Sequence, residues 1–226
     1  MILTSSVNQL IPPSISKPAE PVVFVVDDDV SVRESLSSLL RHEGFRCEAF
    51  GSAQEFLSRP PAKVPSCLLL DIVLPGISGL ELQRSFLNQR SIMPIIFITG
   101  HGDVPRAVQA LKGGAVEFLV KPLNDEKLLT AVRHALRRSQ NALVNKVEID
   151  RLRECHASLT PREQQVMAMV VLGKQNKEVA YDLQISEITV KAHRGRVMQK
   201  MQANSFADLV KMANKLQIAP RSVVMA

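Results

Sequence analysis

Tryptophan is absent from this chain, tyrosine occurs once, and aromatic residues make up only 4% of its 226 positions. The 46% hydrophobic share is therefore mostly aliphatic, as in an ordinary globular protein. Long apolar runs are also missing: none approaches the roughly 18 residues that a membrane span requires. The N-terminus has neither the basic flank nor the unbroken apolar core of a secretory signal. Cys47, Cys67 and Cys155 are scattered without metal-ligand spacing. That pattern fits a reducing, cytoplasmic compartment and no membrane association.

An excess of one charge sign is nearly absent from the first part of the chain and marked in the last. Residues 21–139 carry 14 Lys/Arg against 13 Asp/Glu, whereas residues 157–216 carry 9 against 5. A small basic unit at the C-terminal end points to a polyanionic partner, most often nucleic acid. The length suits two domains.

Residues 1–20, with Pro12, Pro13, Pro18 and several serines, read as a flexible leader. Short apolar runs then alternate with helical patterns. Strands are expected at 22–26, 45–50, 67–70, 95–98 and 116–120, and helices at 30–43, 53–57, 79–87, 105–111 and 125–138. Alternation of this kind implies a parallel sheet covered on both faces. The expected domain at 21–138 is α/β, a five-stranded doubly wound parallel sheet of the flavodoxin-like kind. Its last helix is expected to continue as a linker at 139–156. Leu129, Val132, Leu136, Leu143 and Val147 recur at three- and four-residue steps there, a short seam that would help pair two copies. After Ala157 strand signals stop. Helices near 161–172, 176–183, 187–201 and 206–216 form a small all-α four-helix domain at 157–217, followed by a tail at 218–226. Thr160, Pro161 and Glu163 supply an N-cap, a first-turn proline and a capping box.

Several strand ends carry chemistry. The third expected strand, Cys67-Leu68-Leu69-Leu70, ends in Asp71 before the Pro75-Gly76 turn. The first ends in Asp27-Asp28-Asp29, the fourth in Thr99, and the fifth in Lys121. In an open α/β sheet the carboxyl edge of the strands is where ligands bind. Carboxylates clustered there raise one another's pKa unless a cation joins them, and hard oxygen ligands suit Mg²⁺. Asp29 can serve as a helix cap. Thr99, taken alone, is more often a cap than a ligand contact, and His101 reads as a polar loop residue.

With these residues in place, the stretch from about Val22 to Arg138 resembles the receiver domain of two-component response regulators. The resemblance implies that Asp71 accepts a phosphoryl group from a sensor histidine kinase. It implies that Asp27, Asp28, Asp71 and the backbone carbonyl of Val73 hold Mg²⁺. Thr99 and Lys121 would contact phosphoryl oxygens, and Phe118 stands where the family keeps its switch aromatic. The run from Ile98 to Pro105, with Gly113-Gly114-Ala115-Val116-Glu117-Phe118, is especially similar to the FixJ branch. Gly113 beside Gly114 departs from the family's single glycine and is expected to loosen the end of that helix.

In the basic domain a short helix, a turn and a second helix with Thr189, Lys191, His193, Arg194 and Lys200 exposed make a helix-turn-helix pattern. Ile188, Val190, Val197 and Met201 are expected to face inward. Leu159-Thr160-Pro161-Arg162-Glu163, Asn176-Lys177 and the run from Ile185 to Arg194 resemble the LuxR/NarL-type DNA-binding domain. That resemblance implies Lys191, Ala192 and Gly195 nearest base edges. Thr160, Asn176, Thr189, His193, Arg194 and Lys200 would contact phosphates or position the helix. Together the halves imply a transcription regulator switched by phosphorylation, with double-stranded promoter DNA as partner, a homodimer formed on phosphorylation and RNA polymerase as a candidate further partner. It would be no metabolic enzyme, although it would accept a phosphoryl group and hydrolyse it off again itself. Two rival readings exist. Asp27-Asp28-Asp29-Val30-Ser31 also fits the pattern of haloacid-dehalogenase-type phosphatases, which would make the chain a metal-dependent hydrolase. A receiver that is never phosphorylated and serves only to dimerise is the other.

Overall fold

A computed structural model describes residues 20–88, 92–100 and 104–218 of the chain. Most of the expected leader and tail, and His101, lie outside the described residues. Chain contacts divide the molecule into two units, Met1–Leu143 and Val144–Ala226.

In the first unit the strands are β1 (Val22–Val26), β2 (Arg46–Phe50), β3 (Ser66–Asp71), β4 (Ile95–Thr99) and β5 (Glu117–Val120). They form a parallel sheet in the order β2-β1-β3-β4-β5. The helices are α1 (Val30–His42), α2 (Ala53–Ser58), α3 (Gly79–Asn88), α4 (Val104–Lys112) and the start of α5 (Asp125–Ala157). The three inner strands are buried throughout because helices cover both faces. Alternate residues feed two cores. Val23, Val25, Cys67, Leu69, Ile96 and Ile98 pack with Leu36, Leu40, Leu128 and Val132. Val22, Phe24, Val26, Leu68, Leu70 and Phe97 pack on the other face with Phe56, Leu82 and Phe86. Each fully buried side chain of this size stabilises the fold by about 1.5–3 kcal/mol before entropy is charged against it.

Two expectations are corrected here. Leu129, Val132 and Leu136 are not a seam for a second copy, because all three are buried in the first core. Val147 is 69% exposed and has no such packing. Ser139, on the same helix, is buried and its Oγ accepts a 3.0 Å bond from the Ser66 backbone N–H at the start of β3. Nor does the second glycine simply loosen α4. A Cβ on Gly113 would come within 2.6 Å of Gln83, whose buried Nε2 donates to the Ala110 carbonyl at 2.8 Å. Gly114, at φ +87°, makes the left-handed turn that follows. Gly113 thus gives Gln83 room to fasten α3 to the last turn of α4, and Gly114 turns the chain beyond it.

In the second unit α6 (Pro161–Val171), α7 (Asn176–Leu183), α8 (Glu187–Met201) and α9 (Phe206–Leu216) enclose a third core. The last turns of α5 belong to it through Leu152. Val166, Met167, Val179, Val190, Val197 and Met201 are fully or almost fully buried at its centre. The expected capping box is present: Thr160 Oγ1 accepts from the Glu163 N–H, and Glu163 Oε2 accepts from the Thr160 N–H.

Candidate functional site

Strand register assembles the acidic site. Val26 pairs with Leu70, so Asp27 and Asp71 leave neighbouring strands side by side. Asp71 pairs with Ile98, which puts Thr99 one step beyond it. Thr99 pairs with Val120, and the Lys121 N–H donates to the Thr99 carbonyl at 2.8 Å. Four strand ends thereby converge on one edge. Gly79 lets α3 start tightly against it, since a Cβ there would lie 2.3 Å from the Asp71 carbonyl oxygen.

The side chains meet as well. Lys121 Nζ donates to Asp27 Oδ2 at 2.7 Å and to Asp71 Oδ2 at 2.8 Å. The Val73 N–H donates to Asp71 Oδ1, and the Asp29 N–H donates to Asp27 Oδ1. Asp29 also caps α1, accepting from the N–H groups of Ser31 and Val32. Asp27, Asp71 and Thr99 are buried, whereas Asp28 is exposed. Burial pushes the Asp27 carboxyl above the ordinary value of 3.8, against the bond from Lys121 that favours its ionised form. Burial also works against the Lys121 ammonium, but its bonds to Asp27 and Asp71 outweigh this and hold its pKa above 10.5.

Oxygens of Asp27, Asp28 and Asp71 lie within 4.8 Å of one another. Hard, negatively charged oxygen donors at one edge, with one of the three open to solvent, fit a Mg²⁺ ion that retains waters. Phe118 lies on β5 opposite Phe97 and is half-buried. Sequence reading missed Arg33, whose Nη1 donates to the Asp27 carbonyl at 2.7 Å and steadies the turn after β1. Its signal, a basic residue on the first helix six positions past the acid, is too common to single out.

The second candidate surface is α8. Lys191, Ala192 and Gly195 are exposed on one face. Nothing lies within 4 Å of a Cβ built on Gly195. Ile188, expected inward, is 79% exposed. A residue advances about 100° around a helix, so Ile188 lies roughly opposite buried Val190 and Val197. That arithmetic was available from sequence alone. The remaining residues are partly committed within the domain. Arg194 Nη1 donates to Asn176 Oδ1 at 2.6 Å and its guanidinium stands 5.3 Å from the Phe206 ring centre. Thr189 Oγ1 is 2.8 Å from Ser186 Oγ. His193 is half-buried, with Nδ1 lacking a hydrogen-bond partner among the described residues. Lys200 Nζ donates to Glu163 Oε2 at 2.7 Å and to the Ser158 carbonyl at 3.1 Å. The Lys200 ammonium, with the Thr160 N–H next in effect, pulls the Glu163 carboxyl down to about 2.

Among the described residues no helix is long and apolar enough to cross a membrane. Residues 23–133 match the family described as the response regulator receiver domain, and residues 157–213 match the bacterial regulatory proteins of the luxR family. The chain is 48% identical over 198 residues to Nodulation protein W of Bradyrhizobium diazoefficiens, covering 88% of this chain and 87% of that one. It is 41% identical to Transcriptional regulatory protein FixJ of the same organism, covering 84% and 93%. Among solved structures it is similar to the response regulator StyR, with a TM-score of 0.74 at 45% identity, covering 87% of this chain and all of that one. Full-length FixJ from B. japonicum gives a TM-score of 0.53 at 40% identity, covering 87% and 97%. The family is one of transcriptional response regulators rather than metabolic enzymes, which sets the hydrolase reading aside. The chain belongs to the two-component response regulators that join a receiver domain to a LuxR-type DNA-binding domain.

Proposed function

We propose that Asp71 accepts a phosphoryl group from a sensor histidine kinase in the cytoplasm, and that this change controls promoter binding by the C-terminal domain. The receiver would occupy 21–138, the linker 139–156 and the DNA-binding domain 157–217. The observation that carries the reading is Lys121 bridging buried Asp27 and Asp71 at one sheet edge. An Asp71 carboxylate oxygen attacks phosphorus while the kinase imidazole nitrogen leaves. Asp27, Asp28, Asp71 and the Val73 carbonyl would hold Mg²⁺. Bound there, it offsets negative charge on the carboxylates and the incoming phosphoryl oxygens.

Phosphorylation adds up to about two negative charges, which draw the Lys121 ammonium and the Thr99 hydroxyl toward the new oxygens. Movement of Thr99 leaves space for the half-buried Phe118 to turn inward. The face this would remodel already exposes Val104, Val108 and Leu111 at helical spacing on α4, and Val120 on β5. Covering that apolar stripe favours a homodimer, whose two DNA-binding domains read paired half-sites on double-stranded DNA. Lys191, Ala192 and Gly195 approach base edges. Thr160, Asn176, Thr189, His193, Arg194 and Lys200 bind phosphates or hold α8 in position. RNA polymerase would be a further partner of the DNA-bound dimer.

The test is an intact-mass measurement after incubation with acetyl phosphate and Mg²⁺. Wild type should gain one phosphoryl group and Asp71→Asn none. Equal labelling of the two would overturn the assignment.

A further inference from the structure

Ile188 is a large apolar side chain left almost fully in solvent on the first turn of α8. It lies at the middle of the exposed stripe, not at its margin. With about 100° per residue, Lys191, Ala192, Gly195 and Gln199 all fall within roughly 60° of Ile188 around the helix. Val190, Val197 and Met201, on the opposite side, are buried. Ser186 caps the helix by accepting from the Thr189 N–H, which fixes the orientation of this first turn. In a helix-turn-helix the N-terminal residues of the second helix meet base edges.

We infer that Ile188 reads the 5-methyl group of a thymine in each half-site, a specificity contact that rests on the DNA-binding reading above. Charge complementarity supports DNA as the occupant: Lys177, Lys191 and Arg196 are exposed on or beside this helix pair. Ala192 and Gly195 leave the stripe shallow, so the helix backbone can approach the groove floor and bring Ile188 within reach. Most of the major-groove floor presents hydrogen-bonding atoms, and covering those with an isoleucine would strip their water without replacement. The thymine methyl is the apolar feature of that groove. An exposed isoleucine there discriminates by matching it.

The test uses the full-length chain treated with beryllofluoride and Mg²⁺. Duplexes bound from a random-sequence pool are selected with wild type, Ile188→Ala and Lys191→Ala. Each thymine of the selected half-site is then replaced by deoxyuridine, which lacks only the methyl. Wild type should lose about fourfold in affinity at one thymine per half-site, the worth of one buried methyl group. Ile188→Ala should bind both duplexes equally and accept other bases at that position. Because Ile188 is exposed, its thermal unfolding should match wild type. A deoxyuridine penalty of equal size in wild type and Ile188→Ala, or no thymine in the selected half-site, would overturn the contact. Loss of selectivity in Lys191→Ala would then show that the DNA-binding reading still stands. If wild type selects no sequence at all, both readings fall.

Discussion

The acidic edge of the receiver and the exposed face of α8 solve opposite problems. At the edge, charged groups are drawn out of water and must satisfy one another: Lys121 reaches both Asp27 and Asp71, and backbone N–H groups take the remaining oxygens. On α8 the informative residues are those with no partner among the described residues, namely Ile188, Lys191, Ala192 and Gly195. A buried site is therefore defined by its internal partners. A binding face is defined by their lack. Lys200 belongs to the first kind despite its place on the helix of the second, since its ammonium is held by Glu163 and the Ser158 carbonyl.

This contrast can be broken by substitution. The largest effect is expected from Lys121→Met, which leaves two buried carboxylates without their shared cation. We expect the receiver to lose about 3 kcal/mol in urea unfolding, with Mg²⁺ restoring more stability to the variant than it adds to wild type. Hydrogen exchange should place the loss in residues of the first unit. Next, Lys191→Ala should lower specific DNA affinity by about 1–3 kcal/mol while leaving unfolding unchanged. Lys200→Ala should act mainly on the stability of the second unit, with a smaller loss of DNA affinity that is even across sequences.

A smaller effect follows from Glu163, whose carboxyl is held at about 2 by Lys200 and the Thr160 N–H. A folded value below the ordinary 4.5 means the unfolded chain binds protons more readily. The stability from this pair is thus complete above pH 4.5 and drains away as pH falls toward about 2. Glu163→Gln should lower the stability of the second unit by about 1–2 kcal/mol at neutral pH. Its stability should also vary less with pH in the acid range than wild type, as followed by circular dichroism.

Much of the acidic edge was readable in the sequence because a buried strand that ends in a polar residue must present it at the sheet rim. Asp27, Asp71, Thr99 and Lys121 each stood at such an end. What periodicity could not supply was close approach. Gly79 matters only because the Asp71 carbonyl lies where its Cβ would be, and Gly113 only because Gln83 reaches across from α3. Neither proximity is local in sequence. Leu129, Val132 and Leu136 show a different ambiguity: the same helical spacing serves a domain core or a partner helix, and only the packing of β1, β3 and β4 against them decides for the core. Ile188 was misplaced by its hydrophobicity, although its angular position already opposed Val190.

The central claim is that chemistry at Asp71 governs the face of α8. It is tested most directly by DNA affinity of the full-length chain, for wild type and Asp71→Asn, with and without beryllofluoride in the presence of Mg²⁺. A coupling of about 1–3 kcal/mol predicts roughly 5- to 150-fold tighter binding for treated wild type and no change for Asp71→Asn. Equal affinity of treated and untreated wild type, or an equal gain in Asp71→Asn, would contradict it.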